Sequence, residues 1–212
     1  HMEAKFWLDK WQANQIAFHE DKTHPMLSAH WNALEVDSSA RVFVPLCGKS
    51  KDMIWLLERG HELVGVELSE VAAQAFFHEN ELSAERSEHP KFACYSGGGY
   101  RILCGDIFDL TTQELGSFGA IYDRAALIAL PPETRIRYAR QLRELCKIDT
   151  ELLLVTLKYP TDALKPPPFI VADEEVSQYY GQWCDLKKLA TSPAKVKGVE
   201  GTESAFQIKV NV

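Results

Sequence analysis

Nowhere in the chain does an apolar run approach the roughly 20 residues that cross a bilayer, and no signal-peptide succession is present. A soluble, cytoplasmic protein without a membrane partner is expected. Cysteine is sparse and poorly spaced for pairing: Cys47, Cys94, Cys104, Cys146 and Cys184 are odd in number and far apart, which excludes a disulfide scaffold and leaves no metal-type pair. Most of them lie in apolar surroundings, where a reduced thiol behaves as a small hydrophobe. Basic charge is also short, with 23 Lys and Arg against 30 Asp and Glu for a net charge of −7, so a general nucleic-acid binder is not expected. A glycine-rich dinucleotide turn is missing as well. The triple glycine from Gly97 to Gly99 is followed by neither Gly-Lys-Ser/Thr nor a helix start, so it reads as a hairpin turn joining Lys91–Tyr95 to Tyr100–Cys104.

What is present centres on residues 41–69. Arg41 to Pro45 is a β-branched and aromatic run that Pro45 stops, because proline cannot donate to the next rung of a sheet. Leu46-Cys47-Gly48-Lys49-Ser50 makes a small-residue turn, Ser50 can cap a helix whose apolar stripe is Met53, Ile54, Leu56 and Leu57, and Gly60 ends it. Glu62 to Val66 is a second strand running into Glu67. Together these form one βαβ unit. The chain of 212 residues suits a single α/β domain spanning 1–212, with His1 ahead of Met2 reading as a cloning remnant.

Further along, the pattern predicts a helix near Ser69–Asn80 with Val71, Ala72, Ala75, Phe76 and Phe77 facing the sheet, then an irregular polar stretch from Ser83 to His89. Buried strands follow at Phe118–Tyr122 and Leu152–Leu157. A helix opened by Pro131-Pro132 turns Ile136, Ala139, Leu142 and Leu145 inward and leaves Arg135, Arg137, Arg140 and Arg143 on a solvated face. A proline-rich loop from Lys158 to Pro168 leads to Phe169, and Asp173–Tyr180 is a short helix. Gln182–Leu189 and Ala205–Val212 are a last pair of strands, separated by a loop from Thr191 to Ser204.

Polar side chains recur at strand ends. Glu67 stands about twenty residues past the first turn, where an acid can accept hydrogen bonds from both hydroxyls of a ribose. Asp106 ends the hairpin strand, with Ile107 or Phe108 available to sandwich an adenine, and Asp123-Arg124 ends the next. With one glycine in the first turn, a pyrophosphate lacks its usual approach, which favours S-adenosylmethionine over a dinucleotide. Glu67 could instead be merely a solvated acid. Near the start, Trp7 and Trp11 share one face of an amphipathic helix, and Ile16, Ala17 and Phe18 carry the apolar character on to His19. The tryptophans are either packing or a cover over a sulfonium or adenine, where the indole faces would attract a cation.

The blocks Arg41-Val-Phe-Val-Pro-Leu-Cys-Gly-Lys-Ser50, Gly65-Val-Glu-Leu-Ser-Glu70, Gly105-Asp-Ile-Phe-Asp-Leu110, Tyr122-Asp-Arg-Ala-Ala-Leu127 and Pro167-Pro-Phe169 resemble the bacterial thiopurine S-methyltransferases, and Trp7-x3-Trp11-x6-Phe18-His19 fits the same pattern. The resemblance implies an α/β fold: a doubly wound, mostly parallel sheet of seven strands, Rossmann-like, closed by a C-terminal antiparallel hairpin and covered by helices within residues 1–35. It implies S-adenosylmethionine as cofactor and S-adenosylhomocysteine as product. Trp7, Trp11, Leu46, Glu67, Asp106, Ile107 and Arg124 would contact the cofactor. Phe18, Arg124 and Phe169 would border the acceptor, and Arg124 would also be the catalytic residue; no metal is implied. The acceptor would be a small-molecule thiol, with selenium and tellurium compounds, and so tellurite resistance, as an extension, and the protein would act as a monomer. Two departures bear on the acceptor: Pro166 stands where a glycine is expected, and no arginine follows Cys184. The competing readings are an NAD-dependent oxidoreductase, which wants a glycine-rich first turn, and a non-catalytic nucleoside-binding module.

Overall fold

The computed structural model describes residues 2–16 and 18–212; His1 and Ala17, the latter counted above in an apolar run, lie outside them. In chain order the elements are α1 (Met2–Gln12), α2 (Pro25–His30), β1 (Val42–Pro45), α3 (Asp52–Glu58), β2 (Leu63–Glu67), α4 (Glu70–Glu79), β3 (Glu85–Glu88), β4 (Ala93–Gly97), β5 (Tyr100–Cys104), α5 (Thr112–Leu115), β6 (Ala120–Asp123), α6 (Pro132–Leu145), β7 (Glu151–Lys158), α7 (Asp173–Tyr180), β8 (Cys184–Val196) and β9 (Val199–Val210). The strands form a mixed sheet with a mostly parallel centre and a C-terminal antiparallel hairpin. It counts nine strands among the described residues rather than the seven expected. Two compact units divide the chain, one of His1–His24 with Asp37–Ser117 and the other of Pro25–Val36 with Phe118–Val212.

In the first unit the strand order is β3-β4-β5-β2-β1, with β1, β2 and β5 parallel and the β3-β4-β5 meander antiparallel. Every residue of β1 and β2 is buried, as expected for continuous apolar runs in a parallel sheet covered on both faces. Ser50 Oγ accepts the Asp52 N–H at 3.1 Å, and Ser69 caps α4 by accepting the Ala72 N–H at 3.2 Å. The buried face of α4 is Ala72, Ala73, Phe76 and Phe77, while Val71 is exposed, so the helix is rotated slightly from the expected register. Phe76 meets Tyr100 of β5 edge-on at 4.9 Å. Strand β3 comes from the stretch read as irregular. All four of its residues are exposed, and Glu85, Arg86 and Glu88 carry charge along the strand, so no apolar alternation could announce it.

In the second unit the order is β6-β7-β9-β8, with β6 and β7 parallel and the rest antiparallel. The inward face of α6 is Arg135, Tyr138, Ala139, Leu142 and Leu145. Ile136 is 48% exposed and Arg135 only 1%, which reverses the expected roles of these two residues. The segment Thr191–Ser204, read as a loop, is instead the far half of a long hairpin, with β8 and β9 paired from Cys184↔Val210 to Val196↔Val199. Its two-residue turn holds Lys197 at φ 48° and Gly198 at φ 80°, the left-handed pair that matches hairpin twist. Among the described residues no helix is long and apolar enough to cross a membrane.

Candidate active site

The carboxyl ends of β1, β2 and β5 set the first unit's polar rim. As the chain leaves β1, Leu46 takes a left-handed φ of 51° and Gly48 one of 54°, so the turn curls back over the end of β2. There Glu67 accepts two backbone N–H groups, Gly48 on Oε1 at 3.0 Å and Ser69 on Oε2 at 2.7 Å. One carboxylate thus joins the turn after β1 to the start of α4. Glu67 is 6% exposed, and this burial pushes its carboxyl up to about 7, against the opposing pull of the Ser69, Gly48 and Leu68 N–H groups. An ionised carboxylate with one such donor on each oxygen retains lone pairs for the hydroxyls of a vicinal diol.

The aromatic cover lies directly on this turn. A Cβ at Gly48 would stand 3.0 Å from Cζ2 of Trp11, and its φ already disfavours an L side chain, so glycine is what lets the indole rest there. Phe18 meets Trp11 edge-on at 5.2 Å and Trp7 at 5.3 Å. Trp7, Trp11 and Phe18, three of the four aromatic site residues expected from the sequence, therefore form one cluster, although Phe18 lies beyond the end of α1 and is 38% exposed. His19, next in the chain, is half-buried and lies 3.1 Å from Asp21; burial, then Lys49, lowers its imidazole below the ordinary range against the opposing pull of Asp21.

At the end of β5, Gly105 N–H donates to the Glu67 carbonyl at 2.9 Å, so the departing chain starts beside that acid. Asp106 caps the short 3₁₀ turn Ile107–Asp109 by accepting the Phe108 N–H at 2.9 Å, and Ile107 is buried. Leu46, Glu67, Asp106 and Ile107 are thus brought to neighbouring strand ends. The backbone donors at Gly48 and Ser69 are not among the residues expected from the sequence; the Gly-Lys-Ser turn and the Ser69 cap are the signals that point to them.

Arg124 and Phe169 belong to the second unit. Arg124 is half-buried and directly follows β6. Its neighbour Asp123 is fully buried and accepts the N–H groups of Ala126 at 3.1 Å and Leu127 at 3.3 Å and the Tyr138 hydroxyl at 2.6 Å. Burial raises the Asp123 carboxyl above the usual range, and the Tyr138 hydroxyl opposes this. Asp123 therefore acts as an internal brace for the loop that begins with Arg124. Phe169 is half-buried, and its N–H donates to the Ile128 carbonyl at 2.7 Å.

The donor set of the first unit fits an adenosyl group. It offers a carboxylate free of phosphate-type neighbours, flat aromatic faces over a glycine, and a capped acid followed by a buried isoleucine. Among the described residues no group of three or more His, Cys, Asp or Glu could hold a metal ion.

Comparison with known proteins gives a consistent picture. The family model for thiopurine S-methyltransferase matches residues 2–210. A thiopurine S-methyltransferase from Nitrosospira multiformis is 44% identical over 189 residues, covering 89% of this chain and 86% of the relative. That of Pseudomonas fluorescens is 46% identical over 180 residues, covering 85% and 82%. That of Marinobacter nauticus is 40% identical, covering 98% and 99%. Among solved structures, the Burkholderia thailandensis 1,6-didemethyltoxoflavin-N1-methyltransferase with bound 1,6-didemethyltoxoflavin and S-adenosylhomocysteine superposes with a TM-score of 0.68 at 13% identity, over 98% of this chain and 87% of that one. The magnesium protoporphyrin IX methyltransferase of Synechocystis with bound S-adenosylmethionine gives 0.64 at 13% identity, over 98% and 97%.

Proposed function

The chain belongs to the thiopurine S-methyltransferase family, and from that premise we propose that it moves a methyl group from S-adenosylmethionine to the thiolate of thiopurines and other aromatic or heterocyclic thiols. The observation that carries this reading is Glu67, a buried carboxylate at the end of β2, fixed by the Ser69 N–H and by that of Gly48, the glycine against which the Trp11 indole rests. When bound, the cofactor supplies a methyl carbon on a sulfonium: the acceptor sulfur's electron pair makes the new S–C bond as the old one breaks, leaving S-adenosylhomocysteine.

Glu67 serves the ribose hydroxyls, Leu46 and the Asp106-Ile107 pair serve the adenosyl moiety, and Trp7 and Trp11 exclude water. A dry site favours this reaction, because charge on both partners is lost as the bond forms. Arg124 contributes to cofactor binding and stabilises the acceptor as thiolate through its fixed positive charge, with Phe18 and Phe169 against the acceptor ring. No side chain is assigned as an obligatory base, since aromatic thiols arrive partly ionised. Cys47 is no competing nucleophile: burial, reinforced by Glu67, raises its thiol well above the ordinary range.

The test is methyl transfer to thiophenol and 6-thiopurine in the presence of S-adenosylmethionine. Arg124→Ala is expected to lower kcat/KM by about 10- to 100-fold while shifting the Kd for S-adenosylhomocysteine by less than about fivefold. Absence of any thioether product sinks the reading, and an equal loss of cofactor affinity sinks the role of Arg124. The same site chemistry suits soft selenium and tellurium nucleophiles; absence of volatile methylated products from overexpressing cells given tellurite or selenite would remove that extension.

A further inference from the structure

Arg135 heads the largest fully buried side chains of the described residues, at 1% exposure, although it was read from the sequence as one of a solvated row. A buried guanidinium is costly unless its donors are matched, and an apolar side chain of similar volume would often serve stability as well or better. Its surroundings suggest why an arginine stands here. Nε donates to the Leu130 carbonyl at 2.9 Å and Nη1 to Glu175 Oε2 at 3.3 Å, and the guanidinium lies 5.3 Å from the centre of the Phe169 ring. Glu175 Oε2 also accepts the Ala172 N–H at 3.2 Å at the start of α7. From α6, one side chain therefore holds the loop after β6, the loop after β7 and the start of α7.

The backbone around Phe169 has its own anchors. Lys197 Nζ donates to the Pro167 carbonyl and the Tyr159 hydroxyl to the Pro168 carbonyl, each at 2.7 Å, and the Phe169 N–H reaches Ile128. These bonds fix the main chain and do not act on the ring itself. The flat cation does, because a guanidinium favours the face of an aromatic ring in a way that an ammonium or a methylene chain does not. We propose that Arg135 is a positioning residue that sets the orientation of the Phe169 ring and thereby the fit of aromatic acceptors. This rests on the reading above that Phe169 borders the acceptor.

The experiment compares Arg135→Lys with wild type, in the intact chain and again in a Phe169→Leu background. Arg135→Lys keeps the charge and loses the planar face. It is expected to raise the KM for thiophenol about fivefold, with kcat and the Kd for S-adenosylhomocysteine within about twofold. In the Phe169→Leu background the same change should move KM less than about twofold. An equal rise in both backgrounds, or a joint fall of kcat, cofactor affinity and melting temperature, overturns the proposal in favour of a purely structural role. A second readout needs no turnover: 4-fluorophenylalanine at position 169 should give one sharp ¹⁹F resonance that shifts or broadens in Arg135→Lys, or in Arg135→Met should the lysine variant not fold. An unchanged resonance overturns ring positioning. A wild-type protein inert towards thiols with the ¹⁹F change intact instead removes the acceptor reading alone.

Discussion

Among single residues, Glu67 has the most to reveal about pH. Its carboxyl is raised from 4.5 to about 7 by burial, so between those values the folded protein without ligand holds a proton that the unfolded chain has lost. Stability from this group is present below pH 4.5 and is lost as pH rises to about 7. Glu67→Gln cannot titrate, so melting temperatures followed from pH 4.5 to 7.5 should fall less steeply with pH in the variant. The slope carries that information and the absolute melting temperature does not, since the amide nitrogen faces one of two backbone donors. The position of Glu67 at a strand end was legible because strand length and the following Ser69 cap are properties of residue type. Its two N–H partners were not, because backbone donors carry no letter in the sequence. Arg135 was misread for a related reason: its partners Phe169 and Glu175 lie far along the chain, and without them an arginine beside Ile136 belongs outside.

At the level of elements, the short helix α3 and the β4-β5 hairpin follow local rules, an apolar stripe ended by Gly60 at one and a glycine turn at the other; the expected Ser50 cap is displaced, since Lys51 holds the N-cap position and Ser50 Oγ accepts the Asp52 N–H from one residue earlier. The β8-β9 hairpin was only half readable. Strand β8 lies at the end of its unit's strand order and mixes lysine, serine and Pro193 into positions that a central strand would fill with apolar residues. Lys197-Gly198 was its local signal. Gly198→Val would force a β-branched residue to a φ of 80°, and the expected result is faster amide exchange confined to residues near 195–200, with a local cost on the order of 1–2 kcal/mol. Uniformly faster exchange across β7 and β9 would show instead that the turn supports the whole ribbon.

For the whole molecule, nine strands stand among the described residues where seven were expected, and the one with no expected counterpart is β3, an outer strand held by pairing with β4 rather than by any apolar pattern of its own. Selective ligand stabilisation is the matching prediction. At a concentration of 100 times its Kd, S-adenosylhomocysteine should stabilise the fold by about 2.7 kcal/mol, a rise of several degrees in melting temperature, and NAD at the same concentration should leave it unchanged. A shift with NAD alone would return the oxidoreductase reading to the front.

The double grip of Glu67 on the turn after β1 and the first residue before α4 carries one last implication. Two stretches of main chain hang from a single latch. A change at either oxygen is therefore felt in both places together, so the turn after β1 and the entry to α4 answer to one side chain as a pair.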